Sequence, residues 1–76
     1  MADRAQKVAE NVPGRFYVDA TCIDCDLCRE SAPANFLRFE RARRSYVARQ
    51  PRDPAEEAAC QAALEECPVE AIGQDG

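Results

Sequence analysis

The 76 residues contain no histidine, no tryptophan, one methionine and three glycines. Without histidine, the usual general acid–base group of neutral-pH catalysis is missing. No glycine-rich phosphate loop is present, and no nucleophile sits in a pattern with a base. An enzyme is therefore not expected. The opening residues, Met1-Ala2-Asp3-Arg4-Ala5-Gln6-Lys7, are polar with no apolar run behind them. Neither a secretory signal nor a membrane span is read. The expectation is a soluble, cytoplasmic protein with no membrane partner. Three phenylalanines and two tyrosines are the only aromatics. One short domain with so few large side chains has little core, and such chains often rely on a metal or a disulfide.

What the chain does have is five cysteines. Three lie in Cys22-Ile23-Asp24-Cys25-Asp26-Leu27-Cys28, each three residues after the last. A fourth, Cys67, is followed by Pro68. Three thiolates in one tight loop plus a remote one is how a protein holds a cubane iron–sulfur cluster. The loop reads as too short and too curved for a strand or helix. A structural zinc site would need two well-separated knuckles, and three cysteines in seven residues without histidine fit that poorly. A disulfide framework suits secreted mini-proteins, and here the cysteine number is odd.

Cys22-x2-Cys25-x2-Cys28 with a distant Cys67-Pro68 resembles the bacterial-type ferredoxins, specifically the small single-cluster kind. Two-cluster members carry a fourth cysteine four residues beyond the triplet, before a proline. Here that place reads Ala32-Pro33, so the second cluster lacks that ligand. The resemblance covers roughly residues 15 to 72 and implies one [4Fe-4S] cluster on Cys22, Cys25, Cys28 and Cys67. In this family the iron at the position of Cys25 is commonly the one lost in three-iron forms, so a [3Fe-4S] cluster after air exposure is the alternative. The resemblance also implies an α+β fold, ferredoxin-like, with a pseudo-twofold βαββαβ order, short strands and two helices.

The implied function is one-electron carriage at low potential between a donor and an acceptor enzyme, by a monomer. An iron–sulfur redox or oxygen sensor and a purely structural cluster are the other readings. Because the ligands come from both halves of the chain, the cluster is expected to be a folding element as well.

The formal net charge is −4, which gives no reason to expect nucleic acid as a partner. A cluster with four thiolates adds roughly −2. Residues 38–52 carry Arg38, Arg41, Arg43, Arg44, Arg49 and Arg52 against Glu40 alone, so the rest of the chain is strongly acidic. Asp24 and Asp26 lie in the cysteine loop. The charge is either a solvated surface or a dipole that orients redox partners.

Residues 1–14 precede the domain, which spans 15–76. Ala5, Val8, Ala9 and Val12 have helical spacing before Pro13-Gly14. A short helix or an irregular strap over the core is expected there, with a frayed tail as the alternative. Arg15–Asp19 reads as a first strand with Phe16 and Val18 on one face. One helical turn follows at 29–32, stopped by Pro33. Leu37–Phe39 is a second strand with Leu37 and Phe39 on one side, and Ser45–Ala48 a third. Asp53, Pro54 and Glu56 mark the start of a helix running to about Glu66. Its inner face carries Ala59, Cys60, Ala63, Leu64 and Cys67. Ala71-Ile72 is the last strand.

Cys60 has no place in the ligand set. Some members of the resembled family join this helix by a disulfide to the place held here by Ala32, which has no sulfur. Cys60 then reads as a buried space-filler or as a spare thiol for Cys25 when its iron leaves.

Overall fold

The structure is a computed structural model that describes residues 2–22, 26–41 and 43–76. The elements, in order, are a 3-10 turn Arg4–Gln6, β1 Tyr17–Val18, α1 Leu27–Ser31, β2 Phe36–Phe39, β3 Arg44–Val47, α2 Pro54–Glu66 and β4 Ile72–Gly73. β1 pairs with β4 and β2 with β3, both antiparallel, as two separate two-stranded sheets. Among the described residues this is a small α+β fold with two α-helices. No helix among the described residues is long and apolar enough to cross a membrane.

The longest element forms where its local chemistry is most explicit. Asp53 Oδ1 accepts from the Glu56 N–H at 2.8 Å, and Pro54 occupies the first turn. The return half of the capping box is redirected. Glu56 Oε1 accepts from the Arg52 N–H and from Asn35 Nδ2, so the cap also ties α2 to the β2 approach. Pro68 disfavours helical geometry in the residue before it. Cys67 accordingly leaves the helix with extended angles, φ −66° and ψ 114°.

The core gathers Val8, Phe16, Val18, Cys28, Ala32, Phe36, Val47, Cys60, Ala63 and Ile72. On α2 only Cys60 and Ala63 are fully buried, with Ala59 and Leu64 packed partly against them. β2 begins one residue earlier than expected, and Leu37 and Phe39 share the face opposite to that of Phe36. Phe36 is the buried residue and Leu37 is 49% exposed. The cross-strand register is the cause: Phe36 sits opposite Val47 and Leu37 opposite Tyr46, and it is the Phe36–Val47 face that meets the core.

Residues 2–14 are bonded to the core. Beyond the 3-10 turn no helix forms there. Lys7 makes an isolated bridge to Asp19, and the Val8 N–H donates to the Val18 carbonyl at 3.0 Å. Asn11 then joins both sheets. Its Nδ2 donates to the Val8 and Val18 carbonyls, and its Oδ1 accepts from the N–H groups of Val18 and Val47. Gln50 holds the segment before β1, accepting from the Phe16 N–H and donating to the carbonyls of Val12 and Phe16.

β4 requires glycine at its second position. Tyr17 lies opposite Gly73, and a Cβ there would lie 2.3 Å from the Tyr17 ring. The ring is held by its hydroxyl, which donates to Asp75 Oδ1 at 2.7 Å.

Candidate iron–sulfur site

Three of the four motif cysteines line one pocket. Cys22, Cys28 and Cys67 share it with Val18, Ser45, Val69, Ala71 and Ile72. Cys25, with Ile23 and Asp24, lies outside the described residues. Each placed cysteine comes from a different kind of local structure. Cys22 follows β1 through a turn whose N–H donates to the Asp19 carbonyl. Cys28 is buried in the first turn of α1, so the helix begins two residues earlier than the sequence reading placed it. The cysteine run is therefore not all loop. Asp26, the residue before α1, takes left-handed angles with φ 74° and turns the chain into the helix. Cys67 sits at the end of α2.

Two of the sulfurs accept backbone hydrogen bonds. The Ser45 N–H donates to Cys22 Sγ at 3.4 Å, and the Ala71 N–H to Cys67 Sγ at 3.2 Å. The second contact is made by a turn in which the Glu70 N–H bonds to the Cys67 carbonyl and Glu70 takes φ 53°. Donors aimed at sulfur spread the negative charge of a metal–sulfur centre. Val18, Val69 and Ile72 supply an apolar wall to the same space.

This donor set fits an iron–sulfur cluster: soft sulfur ligands, N–H groups on the sulfurs, and apolar walls. Among the described residues no three candidate ligands converge on a single metal ion. The sulfurs surround a shared space instead.

Sequence reasoning did not find Ser45, Ala71 or Glu70. Two of them act through backbone N–H groups that every residue type carries, so no side-chain pattern marks them. Glu70 could have been suspected, because a turn directly after Cys67-Pro68 needs a sharp reversal.

Cys60 is fully buried and is a free thiol within the core. Burial, then the nearby Glu56 and Glu57 carboxylates, pushes its pKa up to about 11. It does not line the cysteine pocket.

Residues 18–74 match the family described as the 4Fe-4S single cluster domain of Ferredoxin I. The match covers most of the 76 residues, and the chain belongs to this family of single-cluster ferredoxins. Membership indicates a 4Fe-4S cluster and points to an iron–sulfur electron carrier rather than an enzyme. No curated protein matches the chain.

Proposed function

We propose that this protein is a low-potential one-electron carrier with a single [4Fe-4S] cluster held by Cys22, Cys25, Cys28 and Cys67. The observation that carries the reading is the convergence of Cys22, Cys28 and Cys67 on one pocket, although Cys67 is 39 residues beyond Cys28. The bound cluster supplies a one-electron couple between its 2+ and 1+ states. The chain's own groups act on that couple. The Ser45 and Ala71 N–H groups stabilise negative charge on sulfur, and do so more strongly once an electron is added. Val18, Val69 and Ile72 exclude water, which opposes that added charge. Asp24 and Asp26, on either side of Cys25 in sequence, add negative charge that works in the second direction.

The strand–helix–strand–strand–helix–strand order supports a pseudo-twofold relation between the halves. Within this reading residues 1–14 are an extension to a domain of 15–76, and the protein works as a cytoplasmic monomer. Its partners are the enzymes that donate and accept electrons. A [3Fe-4S] form arises in air by loss of the iron at Cys25. Direct voltammetry tests the carrier role. A reversible one-electron wave at low potential supports it, and a cluster that is redox-silent over the accessible range refutes it.

A further inference from the structure

One charged side chain bonds to a residue that lines the pocket and has no role so far. Arg29 on α1 has a side chain only 14% exposed. An arginine is rarely that deep without partners on which to place its charge and donors. It has one on each side. Nη2 pairs with the Asp26 carboxylate, three residues back, and Nη1 donates to Ser45 Oγ at 2.5 Å. Asp26 directly follows Cys25. Ser45 is buried on β3, lines the cysteine pocket, and gives its backbone N–H to Cys22 Sγ.

We propose that Arg29 is a positioning residue of the cluster site that raises its reduction potential, through its own charge and through the hydroxyl of Ser45. The proposal rests on the cluster reading above. The guanidinium joins the entry of α1, where Cys28 sits, to β3, whose Ser45 N–H meets Cys22 Sγ. Because Ser45 Oγ accepts from Arg29, its own hydrogen remains for another acceptor, and the pocket it lines offers sulfur. The charge acts in the same direction. A nearly buried cation favours the reduced state, which carries one more negative charge. Asp26 opposes it, but its side chain is 65% exposed. Water and salt screen an exposed charge far more than a buried one. The pair is therefore electrostatically lopsided at the pocket, with the cation prevailing.

The test compares midpoint potentials of cluster-loaded wild type, Arg29→Gln, Arg29→Lys and Ser45→Ala by film voltammetry, with the EPR spectrum of each reduced protein recorded alongside. Arg29→Gln keeps hydrogen-bonding capacity and removes the charge; Arg29→Lys keeps the charge. Arg29→Gln and Ser45→Ala should both shift to more negative potential, with Arg29→Lys near wild type. A wild-type potential in Arg29→Gln overturns the proposal. So do equal shifts in the Gln and Lys variants, which leave only a geometric staple. If Arg29→Gln fails to load, the other two decide: a negative shift in Ser45→Ala with none in Arg29→Lys supports the proposal, and any other pairing overturns it. Absence of a redox wave in wild type itself would instead sink the cluster reading.

Discussion

Ala71 places its backbone N–H on Cys67 Sγ, 3.2 Å away, and does so because Glu70 takes left-handed angles. The left-handed region costs a residue with a Cβ about 1–2 kcal/mol, and a β-branched side chain fits it worst. Glu70 already bears that cost, so Glu70→Val should lower the stability of the loaded protein by the extra penalty of a branched Cβ alone. Glu70→Gly should leave it unchanged or slightly higher, while Glu70→Pro, which cannot reach φ 53°, should lose the cluster. Thermal unfolding followed at the cluster's visible absorption ranks the three. Equal midpoints for the Val and Gly variants would contradict the turn's role.

Asn11 satisfies the N–H groups of both Val18 and Val47. Asn11→Ala leaves two donors in largely closed surroundings without an acceptor, each worth about 1–3 kcal/mol. The loss should be at least about 2 kcal/mol, an effect large for a position outside the family match. Denaturant unfolding of loaded Asn11→Ala checks it. A loss below experimental error would mean that the strap is only resting on the sheets.

Cys60 gives a pH dependence of definite sign. Its thiol is raised from an ordinary 9.0 to about 11 in the fold. The neutral form is the one the core accepts, so its contribution is complete below pH 9.0 and is lost as pH rises through about 11. Tyr17, also raised by burial and by its bond to Asp75, adds a decline of the same sign starting from its ordinary 10.0. Cys60→Ala should therefore flatten the alkaline limb of midpoint against pH without abolishing it. At neutral pH Cys60 should resist iodoacetamide in the loaded protein. Rapid alkylation would show that the thiol is reachable.

The arginine-rich stretch divides into paired and outlying charges. Arg44 is held by Glu10, and Arg49 and Arg52 share Glu56. Arg41 and Arg43 are exposed at the hairpin turn. Under the carrier reading, reversing those two should slow oxidation of the reduced protein by an anionic cobalt(III)–EDTA complex and speed it by hexaamminecobalt(III), at low salt only. Stopped-flow rates unaffected by the reversal would leave the turn as solvated surface.

The parts of this fold that were legible are those whose chemistry is local. Asp53-Pro54 and Cys67-Pro68 bracket α2 within a few residues of each end, so its bounds of Pro54 and Glu66 follow from neighbours alone. The cysteine spacing likewise leads to the pocket at Cys22, Cys28 and Cys67. What stayed hidden depends on partners far along the chain. Phe36-Leu37-Arg38-Phe39 allows two alternating phases, and only the pairing with Val47 chooses Phe36 for the core. Asn11 reaches Val47 across 36 residues. Arg29 looks like an ordinary surface charge until β3 brings Ser45 to it.

With the proposed ligand set the cluster would tie Cys67 to residues 22–28, so its removal should unfold the chain. Apo-protein should lose cooperative thermal unfolding, monitored by circular dichroism before and after anaerobic chelation of iron. A cooperative midpoint near that of the loaded protein would show that the small core stands alone.

The most direct measurement is an iron count with EPR on protein purified without air. A single [4Fe-4S] cluster should give about four irons per chain, no signal as isolated, and a spin-½ signal after dithionite that integrates to about one spin. Variants Cys22→Ala, Cys28→Ala and Cys67→Ala should each lose it. About three irons with a signal already present in the oxidised protein, or a full cluster in Cys67→Ala, would contradict the four-cysteine [4Fe-4S] assignment.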